Sequence, residues 1–329
     1  MTKGRVGIGL NKGLVRSQVQ PAGILLLGYS SIVRRRVLPA LAANGLISAD
    51  VGSESATSVD SGHPLNVRLI QGYDAALVQS EAPVVYVSTV NGRHFEWAER
   101  ALKAGRHVIV DKPACLSVEE TNRLVNIAKA GRLCLAEANV YAYHPRFQAA
   151  LEVFREAGVC PTHITSEFRF PPLNPENFRY YRKLGGGALW DLGPYAVSPA
   201  RYILSGVASE WVCVCVSHNG QVDTDFSVVG VFSGGRTIMG SFGFTTAYVN
   251  RIAIAGSTLA VEMDRAFSPP PDLATTLLIH AGNRSMTRTF APADAFGLFL
   301  TDVFRAISST PECSKRAQAQ RKGPLHLDC

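Results

Sequence analysis

The sequence predicts an α/β protein in two parts: a doubly wound parallel sheet over residues 22–143, then an α+β domain over residues 144–310 with a large, mostly antiparallel open sheet. Three observations carry this. Short apolar strands alternate with helical stretches in the first part, the grammar of parallel βαβ units. Beyond about residue 145 the apolar residues recur at every second position, the period of strands with one covered face. The length of 329 residues, with 47% hydrophobic and 18% charged residues, suits a globular chain of about two domains.

The elements follow in chain order. Residues 1–21 contain "GIGLNKG" but no strand of useful length, and are expected to form a disordered extension. In "GILLLGYSSIVRRRVLPALAANG" an apolar strand, Ile24 to Leu27, meets Gly28, a short turn, and a helical pattern through Val33, Val37, Leu38 and Leu41. This is the first half of a βαβ unit, and the repetition that follows makes the first part a Rossmann domain. Strands are expected at "LISADVGS", "APVVYVSTV", "HVIVDKP" and "LCLAEANVY". Between them lie the helices "HFEWAERALKAG", closed by Gly105, and "SVEETNRLVNIAKAG", capped by Ser117 with Glu120 three residues on. In the second part, strands are expected at "THITSEFRF", "SEWVCVCVSH", "DFSVVGVFS", "RTIMGSFGF", "RIAIAGS", "TLAVEMD" and "TTLLIHAG", with "SGGR" as a hairpin turn. The helices "HPRFQAALEVFREAG" and "PYAVSPARYILSG" would cover one face of that sheet, and Pro194 should confine the start of the second helix to its own vicinity. Residues 311–329 read as a polar tail.

Composition removes several function classes. The formal net charge of +7 concentrates at the ends: residues 1–21 carry +4 and residues 311–329 carry +2, so the body is nearly neutral. That distribution argues against a nucleic-acid-binding face. No apolar run approaches the ~20 residues of a membrane helix. The seven cysteines make no CxxC pair, and Cys213 and Cys215, two apart in an alternating run, should be small core residues on one sheet face. With no secretory apolar segment at the amino terminus, the expected compartment is the cytoplasm. No metal site is expected.

Four places could carry chemistry. Gly28, Tyr29, Ser30, Ser31 and Ile32 join the first strand to the first helix, where backbone N–H groups and a helix dipole suit a pyrophosphate. Only Gly28 survives of a full G-x-G-x-x-G, so a plain strand-to-helix turn stays open. Ser53 and Glu54 close the second strand, and Glu54 stands 26 residues after Gly28. A carboxylate there would take ribose hydroxyls and repel a 2′-phosphate, tilting the cofactor from NADP towards NAD, unless Glu54 is only a solvated loop residue. Lys112 leaves its strand at the carboxyl end, as do Thr89, Asn91 and His94 in "YVSTVNGRH". That edge of a doubly wound sheet delivers ligand contacts, although a lone lysine there can also be a surface residue. In "GGGALWDLGPY", three glycines imply close backbone approach, and Asp191 and Tyr195, four apart, share a face if the stretch is helical. A tyrosine beside a lysine ammonium would have its pKa pulled down.

The stretches "TVNGRHFEWAERALKAGRHVIVDKP", "AEANVYAYHP" and "GGGALWDLGPY" together resemble the Gfo/Idh/MocA oxidoreductase family over roughly residues 22–305. The resemblance implies NAD(P)-dependent hydride transfer, with Lys112 as the active-site lysine and Tyr195 where many members have histidine. It is similar to the tyrosine subgroup, which includes glucose-fructose oxidoreductase, dihydrodiol dehydrogenase and ketoreductases of nucleotide-linked deoxysugars. By that resemblance Lys112, Tyr143, Arg179, Asp191 and Tyr195 meet a sugar or sugar-nucleotide substrate. Separately, strands such as "SFGF" and "VGVF" that alternate apolar with small or polar residues leave an open sheet face expected to pair copies into a homodimer or homotetramer. Three departures stand out: Ser30 in the second glycine position, Ala142 where many members have arginine, and a polar tail in place of a final helix packed back on the structure. A catalytically inactive dinucleotide- or sugar-binding regulatory protein of the same fold is the alternative.

Overall fold

The computed structural model describes residues 23–60, 62, 65–204 and 206–309. The amino-terminal extension and the polar tail fall outside the described residues.

The first sheet holds six parallel strands in the order β3-β2-β1-β4-β5-β6. Its elements in sequence are β1 (Ile24–Leu27), α1 (Leu38–Ala43), β2 (Ser48–Ser53), β3 (Asn66–Gln71), α2 (Tyr73–Gln79), β4 (Val84–Val87), α3 (His94–Lys103), β5 (His107–Val110), α4 (Val118–Gly131) and β6 (Leu135–Glu137). All four residues of β1 and of β4 are buried, as strands covered on both faces must be. The helix after β1 opens with a π-helical segment, Val33–Val37. The cap of α4 is as expected, with Ser117 accepting from the Glu120 N–H at 3.1 Å. Sequence reading did not find β3 and α2. The polar exposed positions of "NVRLIQ" alternate on an outer strand and mask its apolar content.

The second part continues with α5 (Pro145–Ala157), β7 (Pro161–Arg169), α6 (Ala188–Ile203), β8 (Ala208–His218), β9 (Asp223–Phe232), β10 (Arg236–Gly243), β11 (Val249–Gly256), β12 (Leu259–Asp264), β13 (Thr275–Ala281), β14 (Arg284–Phe290) and α7 (Ala295–Ser308). Eight strands order as β14-β13-β12-β11-β7-β10-β9-β8. Neighbours are antiparallel except β7 and β10, which are parallel. One core joins α5 and α6 to one face of this sheet through Phe147, Phe154, Leu192, Phe226, Phe242 and Ile252, all buried. The other face is open, with Val212, Val214, Val229 and Met239 exposed.

Three expectations are corrected here. Helix α6 begins at Ala188, and both Pro194 and Pro199 lie inside it. The Asp223 carboxylate accepts from the Leu189 N–H at 2.6 Å, and Leu192, Ala196, Ala200 and Ile203 are buried against the sheet, so tertiary contacts override the proline cost. Cys213 and Cys215 are exposed on edge strand β8 rather than in the core. The described residues also end in a helix that packs back on the structure. Phe296, Phe299, Leu300, Val303 and Phe304 of α7 are buried with Ile24, Val84 and Ile109 of the first sheet. At about 1.5–3 kcal/mol per buried large apolar side chain, that stripe is a major contribution. Helices α1 and α7 thus cover one face of the parallel sheet, and α2, α3 and α4 the other.

Candidate active site

The carboxyl edge of the parallel sheet meets α6 across the two parts of the chain. Gly28, at the end of β1, has φ +109°, and a Cβ there would stand 2.3 Å from the Ser88 carbonyl oxygen. Only glycine lets the turn lie this close to the end of β4. Ser30 turns its hydroxyl inward, 2.8 Å from Ser88 Oγ, and accepts from the Val33 N–H at 3.1 Å. The hydroxyl therefore caps the helix start. Ser31 and Ile32 are exposed and Tyr29 is half-buried, its hydroxyl accepting from the Asp60 N–H. A cradle that a Cβ would fill, next to an exposed helix start, fits a dinucleotide pyrophosphate.

A chain of hydrogen bonds links the strand ends. Ser88 donates to Asp111 Oδ2 at 2.5 Å, and Tyr86 donates to Asp111 Oδ1 at 2.6 Å. Sequence reading passed over Ser88, Tyr86 and Asp111. Asp111 stands directly before Lys112, and Ser88 directly before Thr89, which was the available signal. At the end of β6, Glu137 accepts from the Ala114 N–H and from Asn139 Nδ2, fixing the loop that carries Lys112.

Lys112 is part-buried, its Nζ 2.6 Å from the Asp191 carbonyl oxygen and 3.0 Å from Asp191 Oδ1. The same ammonium lies 5.0 Å from the centroid of the Tyr195 ring. Arg179 reaches Asp191 from the other side, with Nε donating to Oδ2 at 2.7 Å and Nη2 to Oδ1 at 3.2 Å. Two cations thus share one carboxylate. Burial works against the lysine charge, but Asp191 and Tyr195 outweigh it and hold the Lys112 pKa above the ordinary value. Burial would raise Asp191, yet Lys112 and Arg179 hold its carboxyl well below the usual range. For Tyr195, burial raises the phenol pKa, and Lys112 opposes this without reversing it. The expected downward pull is real but is the smaller effect. The Tyr195 ring packs against Phe267 at 4.6 Å and Phe168 at 5.1 Å between centroids, two partners that nothing local in the sequence announced.

The three glycines set this geometry. A Cβ at Gly185 would meet the Gly92 nitrogen at 2.4 Å, one at Gly186 the Arg179 carbonyl oxygen at 2.5 Å, and one at Gly187 Asp223 Oδ1 at 2.5 Å. The loop before α6 can therefore press onto the turn after β4, and Asn91 clamps it by donating to the Gly185 carbonyl at 3.1 Å.

Several expected contact residues are placed otherwise. Asn91 is buried and spends its amide on that clamp. His94 is buried between the carbonyl oxygens of Pro113, at 2.7 Å, and Thr89, at 3.1 Å, so it ties two loops together. Thr89 keeps its hydroxyl on the Val90 carbonyl. Ser53 is buried, its hydroxyl accepting from the Ser55 and Ala56 N–H groups and shaping the turn after β2. Glu54 is engaged by Arg93. Tyr143 packs edge-on against Phe299 and directs its hydroxyl to Asp302 of α7, outside the Lys112 cluster. Among the described residues no group of three or more His, Cys, Asp or Glu side chains could hold a metal ion.

Comparison with known proteins places both parts of the chain in one family. Residues 23–138 match the model of an oxidoreductase family with an NAD-binding Rossmann fold, and residues 160–262 match the GFO/IDH/MocA C-terminal domain. A dTDP-3,4-didehydro-2,6-dideoxy-alpha-D-glucose 3-reductase of Saccharopolyspora spinosa is 31% identical over 79% of this chain and 80% of its own length. A D-xylose 1-dehydrogenase (NADP(+)) of Haloferax volcanii is 28% identical over 86% and 88%. The crystal structure of a 3-ketoreductase from Actinomadura kijaniata, in complex with NADP and TDP-benzene, superposes with a TM-score of 0.83 at 27% identity, covering 92% of this chain and 95% of that one. With both of its parts matched, the chain belongs to the Gfo/Idh/MocA family of NAD(P)-dependent oxidoreductases.

Proposed function

We propose that this enzyme reduces the ketone of a nucleotide-linked deoxysugar, with Tyr195 as proton donor and Lys112 as the charge that stabilises the reacting oxygen. The observation that carries the reading is the buried cluster in which a protonated lysine lies against the ring of a tyrosine whose phenol keeps its proton.

The turn from Gly28 to Ile32 would hold the pyrophosphate, and Glu54 the adenosine ribose. The bound nicotinamide cofactor supplies the hydride. As the carbonyl carbon is reduced, negative charge grows on its oxygen, and the Lys112 ammonium is already desolvated and oriented by Asp191 to meet it. Tyr195 gives its proton to that oxygen, and the phenolate left behind is stabilised by the same ammonium. Asp191 keeps Lys112 charged and in place, Arg179 holds Asp191 from the other side, and the net positive charge of the Lys112–Asp191–Arg179 cluster suits an anionic sugar nucleotide. The named reductases and dehydrogenases among the relatives favour turnover over an inactive binding role.

The finer features of this reading are a modest preference for NADH through Glu54, a cytoplasmic setting, and a homo-oligomer formed through the open sheet face. Support for the last is the row of exposed Val212, Val214, Val216, Val229 and Met239, since such apolar patches normally mark interfaces. No helix among the described residues is long and apolar enough to cross a membrane. The direct test is oxidation of NADH and NADPH by the purified chain with a panel of thymidine-diphosphate keto-deoxysugars and free keto-sugars. Consumption confined to the nucleotide-linked ketones supports the proposal, and consumption only with free sugars redirects it.

A further inference from the structure

The carboxylate expected to choose between NAD and NADP is not a lone acid. Glu54 follows the last residue of β2, where the side chain of a dinucleotide fold meets the 2′ position of the adenosine ribose. Both its oxygens accept from Arg93 Nη1, at 2.8 and 2.9 Å. Arg93 ends the short turn Asn91–Arg93 after β4, so both partners lie on the sheet edge that receives the cofactor.

The arginine is held on several sides. Its guanidinium lies 5.3 Å from the Tyr73 ring centroid and 5.1 Å from that of Trp97, and Nε donates to Glu96 at 3.3 Å. The side chain is still 33% exposed, and among the described residues Nη2 makes no hydrogen bond. Two consequences follow from ordinary electrostatics. The charge that would repel a 2′-phosphate is largely neutralised by its partner, and a planar guanidinium suited to phosphate stands beside it.

We propose that Arg93 is a specificity-determining residue that works as a pair with Glu54, which presents its carboxylate to the ribose hydroxyls of NADH and yields Arg93 to the 2′-phosphate of NADPH. The inference rests on the dinucleotide reading above. Arg93 makes NADPH usable in spite of Glu54, so discrimination between the two cofactors is shallow.

The test is a double-mutant cycle read by calorimetric titration with NADH and with NADPH, in the absence of any sugar. Glu54→Gln frees Arg93 and is expected to tighten NADPH about tenfold or more, the size of one charge-assisted contact. Arg93→Leu keeps apolar packing on Tyr73 and Trp97 and should weaken NADPH by about tenfold while moving NADH by less than about threefold. In the double variant the gain from Glu54→Gln should vanish, and Arg93→Lys should recover part of the NADPH affinity. If Glu54→Gln tightens NADPH equally with and without Arg93, the arginine is only a structural partner and the proposal falls. If the parent chain binds neither nucleotide, it is the dinucleotide reading that fails.

Discussion

Asp191→Asn tests the electrostatic centre of the site, because one buried carboxylate there compensates two part-buried cations. In the parent chain Asp191 touches Lys112 Nζ at 3.0 Å and Arg179 Nε at 2.7 Å, with its own side chain only 4% exposed. An amide of the same shape keeps the packing and removes the charge. Removing one partner of a buried ion pair costs about 3–5 kcal/mol. At roughly 2–4 °C per kcal/mol for domains of this size, Tm should fall by about 6–20 °C. The sign with pH follows from the two shifts. The depressed Asp191 pKa stabilises the parent above the ordinary carboxylate range, and that contribution is lost as pH falls below about 4. The raised Lys112 pKa stabilises it below the ordinary lysine value and is lost only above about 10.5. In the variant, burial and Arg179 act on Lys112 with only Tyr195 left to oppose them, so its pKa should drop and the alkaline limb of kcat should move to lower pH. Turnover at neutral pH should fall by about 10²–10³. Differential scanning calorimetry and a pH–rate profile read both effects. An unchanged Tm with an unchanged alkaline limb would refute the idea that Asp191 keeps Lys112 charged.

Ser30→Glu should abolish NADH and NADPH binding by repulsion of the pyrophosphate, whereas Ser30→Ala should cost only about 0.5–2 kcal/mol of stability through the lost cap at Val33; equal cofactor affinity in Ser30→Glu and parent would remove the turn from the site. His144, buried at the start of α5 with its pKa lowered to about 4, stabilises the fold above the ordinary histidine range, so stability should decline as pH falls from about 6.5 towards 4. His144→Asn keeps an N-cap acceptor and should lack that decline, as urea titrations at a series of pH values would report. On the open sheet face, Val214→Glu should convert an oligomer to monomer by light scattering at micromolar concentration, and a parent chain that is already monomeric would refute pairing through this face.

The alternation of elements was legible because parallel strands are buried on both faces and leave unbroken apolar runs such as Ile24–Leu27 and Val84–Val87. The edge strand β14 was not, since Arg284–Phe290 is exposed almost throughout and has no apolar face to read. Helix α7 was legible and overlooked: Phe296, Phe299, Leu300, Val303 and Phe304 recur at helical spacing, but the polar tail beyond drew the eye. At the site, Lys112, Asp191 and Tyr195 could be named because a strand end and a glycine-rich helix start, together with the family resemblance, point to them, whereas Arg179 came from the resemblance alone. What could not be read was which neighbours would occupy the remaining candidates. Asn91, His94 and Ser53 stand at the right strand ends, yet their polar atoms are consumed by Gly185, Pro113 and the turn after β2. The Asn91–Gly185 pairing, 94 residues apart in the chain, depends on how the two parts dock, and the other two on how the loops of the first part fold. Tyr195 was unreadable for a related reason: its pKa direction depends on burial against Phe168 and Phe267, distant in sequence, more than on its lysine neighbour.

The central claim is that Tyr195 delivers the proton while Lys112 stabilises the oxygen, and the single-turnover rate of Tyr195→Phe with a keto-deoxysugar nucleotide tests it most directly. The phenylalanine keeps the ring against Phe267 and the cation contact with Lys112, so NADH affinity should stay within about threefold of the parent. The rate should fall by at least about a hundredfold, the usual cost of a lost general acid. A Tyr195→Phe enzyme that turns over at the parental rate, or one in which His144→Ala alone is dead, would contradict the account.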